Sequence, residues 1–112
     1  MRNIFSLASV LEDHEMEIII ANNGNEALKK LEAHQGIALV LMDIMMPEKD
    51  GYETMREIRT QPNYRKLPII ALTAKAMKDD KAKCIEAGAN DYLSKPVDTE
   101  KLLSLIRVWL YR

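Results

Sequence analysis

The sequence predicts an α/β domain whose parallel sheet carries helices on both sides. The first observation is that apolar periodicity alternates between that of a helix and that of a strand along the whole chain. The second is a continuous apolar run over residues 37–42, which is typical of a strand covered on both faces. The third is that two polar residues, Asp43 and Thr73, directly follow predicted strands. Together these patterns predict the element order αβαβαβαβα.

The first half of the chain is predicted to hold two helices and two strands. Apolar residues at helical spacing predict a helix over residues 4–11, and a β-branched run predicts a strand over 18–21. A turn cluster at 22–25 separates that strand from a second amphipathic helix, which ends near residues 34–36. The apolar run over 37–42 is then the second strand.

A third helix and a third strand follow. The helix begins where Asp50 can act as N-cap, because Glu53 stands three residues later, and it ends near Pro62. Residues 69–72 form another short apolar run, so they predict a second buried strand next to the first.

The last third of the chain completes the alternation. A fourth helix is predicted over residues 76–87, and Gly88 stops it. Residues 91–94 alternate between polar and apolar side chains, which predicts an edge strand. Asp98 then caps a final helix that carries an apolar face.

Composition limits the class of protein. The 112 residues make one domain, spanning 1–112, and a net charge of −1 gives no electrostatic basis for binding nucleic acid or an anionic membrane. No apolar run approaches the roughly 20 residues that a membrane span requires. The single cysteine, Cys84, excludes an internal disulfide and fits a reducing compartment, so we expect a soluble cytoplasmic protein.

Three chemically complementary side chains follow the predicted strands. Parallel strands place Asp43, Thr73 and Lys95 on one rim of the sheet, where α/β proteins bind ligands. Asp43 is able to attack a phosphorus atom, while the Thr73 hydroxyl and the Lys95 ammonium hold oxygens of the transferred group. A cis peptide at Lys95–Pro96 would aim the lysine into the site. Each residue taken alone also fits an ordinary loop or strand-end position.

Hydrolysis is a weak alternative, because no Ser–His or Cys–His pair can be placed in the sequence. We therefore expect that the chain is not an enzyme.

Three ordered segments decide between the remaining classes: residues 39–51, 71–74 and 88–96. They resemble the phosphoacceptor, switch-threonine and lysine segments of response-regulator receiver domains. The residues in these segments are most similar to those in the receivers of hybrid histidine kinases.

The resemblance implies a flavodoxin-like, three-layer sandwich and a role for each rim residue. Asp43 is implied to be the phosphoacceptor, and its carboxylate would bind Mg²⁺ together with the backbone carbonyl of Met45. Thr73 and Tyr92 are implied to form the switch pair, and Lys95 to neutralise the phosphoryl oxygens. The implied partner is a histidine kinase or a phosphotransfer protein, which donates the phosphoryl group.

The sequence departs from the family at one place. Receivers begin with a strand that ends in two acidic residues, whereas no Asp or Glu precedes Glu12 here. Mg²⁺ depends on such carboxylates, so we expect weak metal binding and impaired phosphorylation of Asp43. The departure also leaves an alternative function open: a phosphorylation-independent interaction or self-associating domain built on the receiver fold.

The absent strand also has architectural consequences. In the family's strand order, 2-1-3-4-5, it would lie between residues 17–21 and 37–42, so both would be left with unpaired edges. Three remedies are open: direct pairing of these two segments into a four-stranded sheet, conversion of part of 3–10 into a strand, or a strand from a second copy. We favour association, because Leu105 and Val108 also widen the apolar face of the last helix.

Overall fold

The computed structural model describes residues 4–45, 49–74 and 78–111. Five α-helices are present in this part of the chain: α1 (Ile4–Asp13), α2 (Gly24–Ala33), α3 (Gly51–Thr60), α4 (Lys78–Ala87) and α5 (Thr99–Leu110). The strands of the described residues are β1 (Val40–Asp43), β2 (Ile69–Thr73) and β3 (Asp91–Ser94), and a short 3-10 helix, Pro62–Tyr64, precedes β2.

The described strands form one parallel sheet in the order β1-β2-β3. Met42 pairs with Ala71, and Ala71 pairs in turn with Tyr92 on the other side. All five residues of β2 are buried, as expected for the central strand of a parallel sheet. The structure also confirms that residues 91–94 form an edge strand.

Two apolar clusters cover the opposite faces of the sheet, since alternate strand residues belong to different clusters. The first cluster takes Ile69 and Ala71 from β2 and packs them against side chains of α2, α3 and α4. The second takes Ile70 and packs it against Leu11 of α1 and Leu102 of α5, among others. The result is the predicted three-layer sandwich. Within the described residues no helix is long and apolar enough to cross a membrane.

The structure confirms the predicted helix caps and the predicted helix stop. The side-chain oxygen of Asp50 accepts the Glu53 N–H at 2.9 Å at the start of α3. The carboxylate of Asp98 likewise accepts the Glu100 N–H at 2.9 Å at the start of α5. Gly88 ends α4 with a φ of 122°, a conformation that favours glycine.

The predicted strand over residues 18–21 is wrong, as is its direct pairing with the 37–42 run. Residues 17–21 hold neither helix nor strand, although their burial alternates as in a strand. A strand requires a hydrogen-bonded neighbour, and local β-branched composition cannot supply one. The run over 37–42 is paired only from Val40, whose N–H is the first to reach the neighbouring strand segment.

The remaining architectural expectations also change. Residues 4–10 belong to α1, so the conversion of part of 3–10 into a strand is wrong for these described residues. Leu105 is half-buried and packs against the second cluster instead of widening an exposed face. Val108 does remain 54% exposed.

Candidate functional site

The C-terminal ends of the three described strands meet on one rim. Asp43, the last residue of β1, is in register with Leu72, and Thr73, the last residue of β2, is in register with Ser94. The N–H of Lys95 then donates to the main-chain oxygen of Thr73 at 2.7 Å, so the chain leaving β3 stays beside β2. The sheet therefore brings the predicted site residues to the same edge.

Asp43 and Lys95 form an ion pair across that rim. The lysine Nζ lies 2.7 Å from Asp43 Oδ1, and the two side chains are 13% exposed for Lys95 and 23% exposed for Asp43. The N–H of Met45 donates to the same oxygen at 3.0 Å. One carboxylate oxygen thus accepts two hydrogen bonds. The one from the Lys95 ammonium is the stronger, because both of its partners are charged. The Lys95–Pro96 peptide is cis.

The start of α3 is packed directly on the main chain of the Asp43 segment. The Gly51 N–H donates to the Ile44 oxygen at 3.1 Å. A Cβ at Gly51 would lie 2.7 Å from the Asp43 oxygen and 2.8 Å from the Ile44 Cα, so any side chain there would displace the backbone. Glycine at this position is therefore a requirement for placing Asp43 at the rim.

The two predicted switch residues lie one strand apart. Thr73 is 3% exposed at the end of β2, while Tyr92 on β3 is half-buried against the first cluster. Lys81 of α4 places its Nζ 5.6 Å from the centre of the Tyr92 ring, within the range of a cation–π contact. Sequence reasoning missed Lys81, because helical spacing alone does not show which strand residue a surface lysine covers.

The described residues do not fit a tight Mg²⁺ site. No group of three His, Cys, Asp or Glu side chains among them could hold a metal ion. Asp43 supplies one carboxylate, and one of its oxygens already accepts from Lys95 and Met45. Magnesium requires near-octahedral oxygen coordination, and an isolated carboxylate leaves almost all of it to water. Among the described residues, the backbone carbonyl of Met45 would add one further oxygen ligand.

A second polar cluster, which sequence reasoning missed, lies at the other end of the sheet. The Arg59 guanidinium donates to the main-chain oxygens of Gly88, Tyr64 and Arg65, and to the side-chain oxygen of Asn90, at 2.6–3.3 Å. Burial lowers the pKa of Arg59 from its ordinary value. We call these hydrogen bonds the Arg59 clasp. No local pattern predicts it, because its main partners are 29 and 31 residues away in the chain.

Comparison with known proteins agrees with this architecture. The family model described as the response regulator receiver domain matches residues 2–107. Hybrid signal transduction histidine kinase M from Dictyostelium discoideum is 39% identical over 103 residues, which cover 88% of this chain and 4% of that protein. Response regulator Rre1 from Synechocystis is 36% identical over 108 residues, which cover 96% of this chain and 46% of that protein. The chain therefore spans less than half of either relative.

Solved structures show the same fold. The receiver domain of a sensor histidine kinase from Pseudomonas aeruginosa superposes with a TM-score of 0.87 at 35% identity, covering 96% of this chain and 88% of that one. That structure holds a magnesium ion in its active site cleft. The family match extends over nearly the whole chain, and the fold and the rim geometry agree with it. The chain belongs to the response regulator receiver domain family of two-component signalling.

Proposed function

We propose that residues 1–112 act as one cytoplasmic receiver unit in which Asp43 is the phosphoacceptor position. The observation that carries the proposal is the 2.7 Å contact between the Asp43 carboxylate and the Lys95 ammonium at the ends of β1 and β3. The proposed donor is a phosphohistidine of a histidine kinase or phosphotransfer protein. Cys84, the single cysteine of the chain, is buried and forms no disulfide, which fits the reducing compartment that this assignment requires.

The transfer uses few groups. A carboxylate oxygen of Asp43 attacks the phosphorus, the P–N bond of the donor breaks with its electron pair left on the imidazole, and an acyl phosphate forms. Lys95 neutralises charge on the phosphoryl oxygens, and Thr73 binds one of them from the end of β2. Tyr92 and α4 then respond, because the 5.6 Å contact of Lys81 with the Tyr92 ring joins them.

We further propose that this transfer is inefficient in the chain as it stands. Lys95 forms an ion pair with Asp43 in the described site. The described residues bring no group of three His, Cys, Asp or Glu side chains together that could hold Mg²⁺ tightly. A single ammonium leaves the charge on the attacking and transferred groups poorly compensated, since metal ions normally supply much of that stabilisation.

Intact mass spectrometry after treatment with a small phosphodonor and Mg²⁺ tests both statements. We expect modification well below one phosphoryl group per chain, and loss of whatever forms in Asp43→Asn. Asp13→Asn is the matched control, because Asp13 is exposed at the end of α1. Stoichiometric modification would contradict the proposed impairment, and modification that survives Asp43→Asn would contradict the assignment of Asp43.

Magnesium titration provides an independent measurement. We expect weak Mg²⁺ binding by calorimetry, because only Asp43 and the Met45 carbonyl are available as protein ligands in the described site. The Asp43→Asn variant serves as the background. Tight, saturable binding that this variant loses would show that further ligands complete the site.

A second candidate function is phosphorylation-independent interaction, including self-association. It is supported by the poor fit of the described site to Mg²⁺ and by the 54% exposure of Val108 on α5. Light scattering across a concentration series tests self-association, for which we expect a mass that rises with concentration. Val108→Ser would lower that mass if α5 is the contact. A constant monomer mass would reject self-association and leave other partners as the remaining form of this candidate.

A further inference from the structure

The side chain of Tyr92 lies on the face of the sheet that α4 covers. Tyr92 is half-buried against the first cluster, and its strand, β3, contacts α4. Its register partner in β2 is Ala71, which belongs to the same cluster. Thr73 follows Ala71 by two residues, and alternate residues of a strand point to one face. The Thr73 side chain therefore shares that face with the Tyr92 ring.

The sheet itself gives this ring little steric restraint on the side of the rim. The strand residues beside the ring and beyond it on this face are Ala71, Thr73 and Ser94, and all of them are small. Two χ1 rotamers are common for a side chain in a strand, so the backbone alone does not choose between them. The orientation of Tyr92 therefore depends on the contacts that α4 makes with it.

Lys81 of α4 places its charged group at the Tyr92 ring. Its Nζ lies 5.6 Å from the ring centre, within the roughly 6 Å over which the face of an aromatic ring attracts a cation. Lys81 is exposed, and the ion pairs formed among the described residues do not include it. Within that part of the chain, the contact with Tyr92 is the electrostatic interaction that ties Lys81 to a particular position.

We propose that Lys81 is a positioning residue that holds the Tyr92 ring in the orientation seen in this structure. The ammonium attracts the negative face of the ring, so the rotamer that presents this face to Lys81 is favoured over the other. At an exposed site, a contact of this kind changes the ratio of two rotamers about two- to fivefold. Loss of the charge at residue 81 would therefore let the ring move more often over the small residues toward Thr73.

The role of Lys81 rests on the proposed function in one respect, because Tyr92 acts as a switch only if Asp43 receives a phosphoryl group. Under that function, Lys81 sets how often the ring lies near Thr73 before any transfer occurs. The contact itself needs no ligand at the rim, so it can be measured in the unmodified chain. Failure of Asp43 to accept a phosphoryl group would leave that measurement unchanged.

Nuclear magnetic resonance of the isotopically labelled chain tests the role of Lys81. Three-bond couplings across the Cα–Cβ bond of Tyr92 give the populations of its rotamers. Lys81→Met keeps an unbranched side chain without the charge, so we expect it to change the rotamer ratio about two- to fivefold. Lys81→Arg restores a cation, so its rotamer ratio should match that of the parent chain.

Lys83→Met is the matched control for the loss of one positive charge from α4. Lys83 is also exposed on this helix. Two residues of a helix are separated by roughly 200° around its axis, so Lys83 lies on the other side of α4 from Lys81. The Tyr92 rotamers of this variant should therefore be those of the parent chain.

Lys81 itself provides a second spectroscopic signature. Protons held over the face of an aromatic ring are shielded by it, so the methylene next to the Lys81 Nζ should resonate at lower frequency than that of a freely exposed lysine. Tyr92→Phe keeps the ring and should keep this shift, whereas Tyr92→Leu should abolish it.

Three results would overturn the proposal. The first is a Tyr92 rotamer ratio that Lys81→Met leaves unchanged or that Lys81→Arg does not restore. The second is an equal change of the ratio in Lys83→Met, which would show that the charge of α4 acts without the contact. The third is loss of the Lys81 shift in Tyr92→Phe, which would assign the contact to the hydroxyl group instead of the ring.

Discussion

The two ends of the sheet are held together in opposite ways. At the C-terminal ends of the strands, one ion pair between Asp43 and Lys95 crosses the rim, and both side chains keep some contact with solvent. At the other end, Arg59 alone donates to three main-chain oxygens and one side-chain oxygen. The difference teaches that the end of the sheet away from Asp43 is fixed by several hydrogen bonds to one side chain, while the rim keeps its polar side chains in partial contact with solvent.

The Arg59 clasp joins segments that are far apart in sequence. Asn90 extends it, because its side-chain oxygen accepts from both Arg59 Nη2 and the Ile69 N–H at 2.8 Å. α3, the start of β2 and the loop after α4 are thus tied at one point. Arginine suits this position, since its planar fork holds several acceptors and stays charged even when burial lowers its pKa.

The largest expected effect comes from removing the clasp. Arg59→Met leaves several partly buried oxygens without a donor, so we expect a loss of about 2–4 kcal/mol in the free energy of unfolding. Urea denaturation measures it. Arg56→Met is the matched control, because Arg56 lies exposed on the same helix and should cost little. Equal losses in the two variants would contradict the structural role of the clasp.

A smaller loss is expected from Gly88→Ala. The backbone at Gly88 has a φ of 122°, and a Cβ there would lie 2.7 Å from the Arg59 Cγ. Strain of this kind costs about 1–3 kcal/mol. Gly36→Ala provides the comparison, because a Cβ at Gly36 meets nothing within 4 Å. Thermal unfolding of both variants should place Gly36→Ala within about 0.5 kcal/mol of the parent chain; a similar destabilisation in both would contradict the argument.

The smallest effect on stability is expected at the rim. Lys95→Met breaks the ion pair with Asp43, but water still reaches both side chains, so the free energy of unfolding should fall by less than about 1 kcal/mol. The same variant should nevertheless abolish any modification of Asp43 by a phosphodonor, because the proposed role of Lys95 is to neutralise the transferred group. Lys101→Met, at an exposed site on α5, controls for the loss of one positive charge.

A large loss of stability in Lys95→Met would reverse the comparison. It would show that the rim contributes to the free energy of unfolding as the Arg59 clasp does. The two ends of the sheet would then differ in their residues but not in their contribution to stability. Unfolding and phosphorylation should therefore be measured on the same preparation of each variant.

Local signals in the sequence predicted much of the fold. The caps at Asp50 and Asp98 and the stop at Gly88 each depend on neighbouring residues only, and all three are found as predicted. The proximity of Asp43 and Lys95 was also predictable, because it follows from the parallel order of strands and from the resemblance to receivers. The roles of these residues remain predictions.

The errors arose where structure depends on distant partners. The β-branched run at 18–21 has the composition of a strand, yet pairing requires a neighbour that local sequence cannot reveal. Leu105 lies beside the core face of the last helix on a helical wheel. Its burial therefore depends on how the helix packs on the sheet, which the helix sequence alone does not show. The Arg59 clasp was invisible for the same reason, since its acceptors are mostly main-chain oxygens, which carry no sequence signal.

Asp43 Oδ1 already accepts hydrogen bonds from Lys95 Nζ and from the Met45 N–H. A ligand that binds this oxygen must displace one of these donors or share the oxygen with it. If such a ligand weakens the contact with Lys95 by some factor, that contact must weaken the binding of the ligand by the same factor. The position of the lysine after β3 and the occupancy of the carboxylate on β1 are then two inputs to one equilibrium.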